Sequence, residues 1–187
     1  MKIERLRIPD VLLITPLRHS DERGSFSETF RADLLGAYGV DVDFVQDNHV
    51  ISKNRGVVRG LHYQLAPRAQ GKLVRCSRGV ILDVAVDVRE GSPTFAKHVA
   101  VELSGDNWQQ IWVPPGFAHG YVTLDDNCEV IYKTTDYYSP GHERGIAWDD
   151  PALQIDWHIA PTKATLSDKD RNLPRLGEPA RRSNQKL

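Results

Sequence analysis

The chain has 187 residues, 40% of them hydrophobic, with 24 Lys and Arg against 25 Asp and Glu for a formal charge of −1. That length and apolar content suit one domain with a sizeable core and exclude wholesale disorder, while the balanced charge argues against a nucleic acid or an anionic membrane as partner. No apolar run approaches the ~20 residues of a spanning helix; "MKIERLRIPDVLLITP" scatters charges where a signal peptide needs an apolar block; and Cys76 and Cys128, lacking CxxC or zinc spacing, read as reduced, half-buried thiols of a cytoplasmic protein.

In chain order, residues 10–17 ("DVLLITPL") read as a strand, "RHSDERGSF" as a polar turn and "FSETF" as another short strand. "RADLLGAYG" is the one modest helix near the N-terminus, with Leu34 and Leu35 facing a core and Gly39 as its C-cap. "VDFVQDNHVISKN" is strand-like, and "GVVRGLHYQ" (56–64) is a further strand. "KLVRCSRG" and "VILDVAVDVR" are joined through Gly79, read as a hairpin corner. "KHVAVEL", "WQQIWVPP", "GFAHGYVTL" and "CEVIYKTTDYY" follow as strands separated by turn residues. Short, evenly spaced strands of this kind argue for an all-β antiparallel sandwich or barrel with a few short helices. Beyond Pro140 the pattern becomes irregular; the expected organisation is a single domain over 1–176 and a polar tail over 177–187.

Two strands carry more polarity than a core face tolerates. In "VILDVAVDV", Val80, Leu82, Val84, Val86 and Val88 share one face, while Ile81, Asp83, Ala85 and Asp87 share the other. The mixed face can line a ligand cavity in a barrel or face water, and both readings stand. In "GVVRGLHYQ", strict alternation puts Arg59 and His62 on opposite faces, as a surface cation and an unrelated imidazole would be. Gly60 between them offers another outcome, because an isolated glycine in a strand often marks a bulge. The expectation is an irregularity at Gly60 that lets both side chains reach one pocket.

"VPPGFAHGYV" contains PxGxxH, in which Pro114, Pro115 and Gly116 turn the chain and His119 opens the next strand; it resembles the second motif of the cupin superfamily of small β-barrels. Metal-binding cupins place an HxH pair in the first motif, but here Gln64 stands where the second histidine would be, and no Glu follows at the needed spacing. Two histidines and a nearby lysine fall short of the three or four ligands a first-row metal wants, so no metal is expected. An acid–base set remains. An imidazole titrates near ~6.5 unperturbed, which suits His62 as a base. Lys72 can stabilise an oxyanion, Tyr132 can donate a proton from another direction, and an Asp would fix the imidazole's tautomer.

Taken together, "DERGSFSETF", "FVQDNHVIS", "RGLHYQ", "QGKLVR", "DVAVDVREGSPTF", "VPPGFAHGY", "YKTTDYYSP", "WDDPALQIDW" and "LSDKDRNLP" resemble, in this order and over nearly the whole chain, the dTDP-4-dehydrorhamnose 3,5-epimerases, cupin-fold enzymes of dTDP-L-rhamnose synthesis. The resemblance implies His62 as catalytic base, Asp170 as its partner, Tyr132 as proton donor on the opposite face of the sugar, and Lys72 beside the C4 oxygen. It implies substrate contacts at Arg23, Glu28, Gln46, Asp47, Asn48, Arg59, His119, Tyr138, Glu143 and Lys169, with Arg59 on the diphosphate and Tyr138 near the thymine. It also implies a cupin-type jelly roll, no cofactor or metal, and a homodimer whose N-terminal segment completes the neighbouring site. "SDKD" for the commoner "SEKD" or "SAKD", and "YVTL" for "FVTL", are small departures that leave acid and base in place.

The implied reaction is proton abstraction at C3 and C5 of dTDP-4-dehydro-6-deoxy-D-glucose, each α to the C4 ketone, with reprotonation from the other face. The rival readings are an epimerase acting at one carbon of a related dTDP-sugar, a metal-dependent cupin dioxygenase, and a non-catalytic sugar-nucleotide binding module.

Overall fold

The computed structural model describes residues 1–178, so the tail expected at 177–187 lies, from 179 onward, outside the described residues. In chain order the strands are β1 (Lys2–Arg5), β2 (Leu12–Thr15), β3 (Arg18–Asp21), β4 (Gly24–Ser27), β5 (Gln46–Ser52), β6 (Val58–Gln64), β7 (Lys72–Arg78), β8 (Val80–Asp87), β9 (His98–Ser104), β10 (Gln110–Val113), β11 (Phe117–Thr123), β12 (Cys128–Thr134) and β13 (Glu143–Gly145). The helices are α1 (Ala32–Gly36) and α2 (Asp168–Arg171). Antiparallel pairing builds a six-stranded sheet, β1-β2-β10-β7-β12-β5, and a five-stranded sheet, β13-β6-β11-β8-β9. Val74, Ile111 and Val130 of the first sheet share a buried cluster with Ile81, Ala85 and Phe117 of the second, so the sheets face each other as a cupin-type jelly roll. No helix among the described residues is long and apolar enough to cross a membrane.

The mixed face of β8 points into the barrel. Ile81 and Ala85 join the inter-sheet core, and Asp83 and Asp87 are fully buried between them. Buried carboxylates are costly unless hydrogen-bonded, and both are. Asp87 accepts from Arg89, Ser92 and Thr94; burial alone would raise its pKa, but those bonds hold it far below the usual carboxylate range. The opposite face is covered too. Leu82, Val84 and Val86 pack under Trp148, Leu153 and Trp157 of the segment that follows Pro140. Trp157 Nε1 donates to the Trp148 carbonyl at 2.8 Å, which satisfies that indole N–H inside the clasp.

Three local expectations need correction. "RHSD" is a strand rather than a turn: β3 pairs with β4 across Glu22 and Arg23, so the second strand begins at Gly24 and ends at Ser27. All four β3 side chains are exposed, so main-chain pairing rather than apolar alternation holds it, and periodicity could not reveal it. Gly79 is no hairpin corner. β7 pairs with β10 and β12 while β8 pairs with β9 and β11, so the chain changes sheets at Gly79, which takes φ +75°. A Cβ there would lie 2.7 Å from Cys128 Sγ. β1 was not anticipated; it pairs with β2 in register Lys2↔Thr15. Near the N-terminus α1 buries Leu35 and ends at Gly36, and Gly39 (φ +89°) closes the following turn.

Gly60 does break the ladder. β11 residues His119 and Tyr121 pair with His62 and Arg59, so β6 holds one more residue than its partner across this stretch. That extra residue is a bulge. Val58 and Leu61 both join the outer cluster, while Arg59 and His62 both line the interior cleft. Gly60 sits at φ +117°, and a Cβ there would lie 2.6 Å from Gly120 Cα and 2.7 Å from the His119 carbonyl oxygen. Gly60→Ala is therefore expected to cost about 2 kcal/mol or more in stability. Urea denaturation checks this; a midpoint equal to that of the parent would overturn the account of the bulge.

Candidate active site

The cleft opens between the two sheets as adjoining cavities of about 320 and 280 Å³ that share His62, Lys72 and Tyr132. His62 comes from β6 in the five-stranded sheet, and Lys72 and Tyr132 come from β7 and β12 in the six-stranded sheet. The imidazole and the phenol therefore enter the cleft from opposed walls.

His62 is held by Asp170, which comes from α2, 108 residues further along the chain; Nε2 and Oδ1 lie 2.6 Å apart. The approach is built in three steps. Thr165 bridges to the start of β6 through Val58 N to Thr165 O (2.9 Å) and Thr165 N to Gly56 O (2.8 Å). Ser167 then caps α2 by accepting from Asp170 N (3.1 Å), the role a serine at that position favours. Its hydroxyl also donates to Asp170 Oδ2 (2.9 Å), which turns the carboxyl toward His62. Burial pushes the Asp170 carboxyl up, but the bonds from His62 and Ser167 outweigh it and leave it below the ordinary value. An ionised Asp170 only accepts, so Nε2 of His62 carries the proton and Nδ1 is the basic nitrogen.

Lys72 is buried, and among the described residues its Nζ donates only to the His62 carbonyl, at 3.3 Å. Burial lowers its pKa to about 8, against the opposing pull of Asp83 and Glu143. Tyr132 is raised, mainly by burial, with Arg59 opposing, so the phenol keeps its proton at neutral pH. Among the described residues the one hydrogen bond of the Arg59 side chain is to Ser52 Oγ, at 3.4 Å. Among the described residues neither Arg59 nor Lys72 forms a salt bridge. The carboxylates of the cleft are engaged instead. Asp83 binds His119 at 2.9 Å, and Glu143 accepts from Lys169 (2.5 Å) and Tyr138 (2.8 Å). Burial raises the Glu143 carboxyl, but those two bonds bring it below the ordinary value. The cleft thus offers two uncommitted cations and no uncommitted anion, an arrangement fit for phosphate and for a developing oxyanion.

Gln46 and Asn48 face the cleft on β5, where Gln46 Nε2 donates to Asn48 Oδ1 (3.0 Å) and Gln46 Oε1 accepts from Tyr138 N (3.1 Å). Gln64, at the site of the missing second histidine, accepts from Ser139 N (2.7 Å) and donates to the Tyr137 carbonyl (3.2 Å), tying down the loop that carries Tyr138. Among the described residues no three His, Cys, Asp or Glu side chains gather as a metal site.

Three expected contacts lie elsewhere. Asp47 pairs with Lys133 (3.0 Å) on the outer face of β5, because it alternates with Gln46 and Asn48. Arg23 pairs with Asp21 (2.6 Å) at the tip of the β3–β4 hairpin, and Glu28 lies beside Arg31 (3.8 Å). None of the three lines this chain's own cleft. Conversely, Asp83, Tyr121 and Ser167 were not anticipated as site residues. Asp83 was visible as a charge breaking an apolar face, Tyr121 follows His119 by two on one face of β11, and Ser-x-x-Asp is a helix-start pattern.

A double-sheet antiparallel barrel with an imidazole and a phenol on opposed inner walls fits a cupin-type enzyme. The family model for dTDP-4-dehydrorhamnose 3,5-epimerase matches residues 5–178. The Shigella flexneri dTDP-4-dehydrorhamnose 3,5-epimerase is 51% identical over 173 residues, covering 92% of this chain and 94% of that one. The crystal structure of the Legionella pneumophila dTDP-6-deoxy-D-glucose-3,5-epimerase with dTDP-4-keto-L-rhamnose superposes with TM-score 0.89 at 44% identity, over 93% of this chain and 92% of that one. A 3'-monoepimerase from Streptomyces bikiniensis with dTDP-quinovose gives 0.84 at 35% identity, over 91% and 85%. The chain belongs to the dTDP-4-dehydrorhamnose 3,5-epimerase family.

The lowered Asp170 pKa fixes a sign. In the folded state it lies below the unfolded value of ~3.9, so the stabilisation is full above that value and is lost as pH falls through the folded one. Asp170→Asn is expected to cost about 1.5–3 kcal/mol at pH 7, the range for a hydrogen bond to a charged group, and to flatten the loss of stability below pH ~4. Urea midpoints of both proteins at neutral and acidic pH check this; parallel pH slopes would refute it.

Proposed function

We propose that the protein is a dTDP-4-dehydrorhamnose 3,5-epimerase that inverts C3 and C5 of dTDP-4-dehydro-6-deoxy-D-glucose with its own side chains, without a metal or cofactor. The observation that carries this reading is the placement of Asp170-bonded His62 and Tyr132 on opposed walls of one cleft, with Lys72 at their side. His62 Nδ1 takes the proton from C3 or C5, and the electron pair moves into the C4 carbonyl to form an enolate. Lys72 stabilises the enolate oxygen as a buried cation. The Tyr132 phenol returns a proton from the other side, and the centre inverts. His62 then releases its proton to solvent and the Tyr132 phenolate regains one, and the reset pair acts at the second carbon after the ring adjusts.

Arg59 takes the diphosphate; Gln46, Asn48 and Tyr138 take the nucleoside end; His119, Glu143 and Lys169 contact the sugar nucleotide between them. Arg23 and Glu28 are assigned to the site of a second copy in a homodimer, consistent with their distance from this chain's cleft and with exposed Leu17 and Phe26 on the same N-terminal arm. Two unpaired, buried cysteines suit a cytoplasmic location.

The direct test is solvent deuterium incorporation into dTDP-4-dehydro-6-deoxy-D-glucose, read by NMR. Label is expected at both C3 and C5, and in one position alone it would mark a single-site epimerase. His62→Ala should lower exchange by at least about a thousandfold, near the upper range for a general base, and Tyr132→Phe should keep exchange but lose inversion; unchanged turnover in either would remove that residue's role. For the dimer, mixing inactive Arg23→Ala and His62→Ala chains should restore activity, since each mixed pair holds one site free of both changes; no recovery would confine Arg23 to its own chain.

A further inference from the structure

Among the described residues, two buried side-chain polar atoms lack a hydrogen-bond partner: Asn48 Nδ2 and the Tyr121 hydroxyl. Both residues line the cleft. Unsatisfied buried polar groups are rare and costly, so their coincidence with one cavity points to a ligand that satisfies them. Asn48 belongs to the nucleoside end already described. Tyr121 has no assigned task, although it is only 4% exposed.

The surroundings of the Tyr121 hydroxyl identify its acceptor. On the β11–β6 ladder Tyr121 stands opposite Arg59, and both line the same cavity with Tyr132, His119 and Lys169. Ser52 lies close enough to the phenol to offset a little of the rise that burial causes in its pKa, but the two side chains do not meet with hydrogen-bond geometry. A phosphate drawn to the uncommitted Arg59 guanidinium would bring an acceptor oxygen beside a phenol that has a proton to give.

We propose that the Tyr121 hydroxyl donates a hydrogen bond to a phosphate oxygen of the bound sugar nucleotide, making Tyr121 a second diphosphate-binding residue beside Arg59. This rests on the function proposed above and adds a binding group to it.

The test is Tyr121→Phe, a change that keeps the ring and removes only the orphan atom. Without ligand its thermal midpoint should equal or exceed that of the parent, because an unsatisfied buried hydroxyl is lost. Its Kd for dTDP, measured by calorimetry, should weaken about tenfold, with KM for the sugar nucleotide rising in step and kcat changing little. A lower midpoint together with unchanged dTDP affinity would assign the hydroxyl a structural role and overturn the proposal. Unchanged dTDP affinity with a raised KM would overturn the phosphate assignment in favour of a sugar oxygen. If the parent protein failed to bind dTDP, the function proposed above would fall and this inference with it, whereas equal binding by both proteins would defeat this inference alone.

Discussion

The hydrogen bond between His62 and Asp170 joins the two parts of the chain that this fold has most work to bring together. His62 sits in a sheet, whereas Asp170 belongs to a four-residue helix. A helix that short has no stability of its own in water. Its position is set by what precedes it: Trp148, Leu153 and Trp157 packed over the valine face of β8, and the Thr165 bridge to Gly56 and Val58. The geometry of His62 thus depends on apolar burial on the far side of the sheet from the cleft. Truncating a buried Trp or Phe typically costs ~3–5 kcal/mol, more than a single hydrogen bond contributes. The outer cluster therefore anchors the segment, and the Asp170 bond only orients it.

Charge in the cleft is arranged by the same division. Each buried carboxylate has donors: Asp83 has His119, Glu143 has Lys169 and Tyr138, and Asp170 has His62 and Ser167. Arg59 and Lys72 keep long contacts to neutral oxygens. Burial without a close anion is why Lys72 falls to about 8, yet it stays largely charged at neutral pH, as the enolate oxygen of the proposed reaction would need. A tight carboxylate partner would raise that pKa and would also neutralise the field the oxyanion needs.

The sequence revealed more of the inner surface of the barrel than of its outside. Alternation and turn residues located most strands, and Gly60 between Arg59 and His62 announced its bulge because a glycine in a strand has few other uses. Gly79 misled because the same residue serves a hairpin or a sheet-changing corner, and only the partners of β7 and β8 decide. The direction of the mixed β8 face was open for a related reason. Both faces are buried, one by the opposite sheet and one by residues beyond Pro140, and no local pattern encodes a cover more than sixty residues away. Arg59 and His62 reach the cleft as expected, whereas Asp47 does not, because family blocks carry roles by motif and side-chain direction follows the two-residue period. Arg23 lies at the tip of a hairpin outside both sheets and Glu28 just beyond it, and neither lines this chain's cleft.

Opposed walls also bear on why one acid–base pair suffices for two centres. In the proposed reaction C3 and C5 flank C4, and both become acidic through the same carbonyl. With the C4 oxygen held at Lys72 and the diphosphate at Arg59, the ring is tethered at two points that do not include either reacting carbon. His62 and Tyr132 are attached to separate sheets and cannot exchange places, so their order across the ring is fixed. What can change is the pucker of the ring between its tethers, which swings C3 or C5 into the line between base and acid. On this view selectivity for one carbon or both resides in the space around the ring rather than in the acid–base pair. Val50 and Thr134 stand on the cleft walls and carry no titratable group, so in the proposed reaction they could act only through that space.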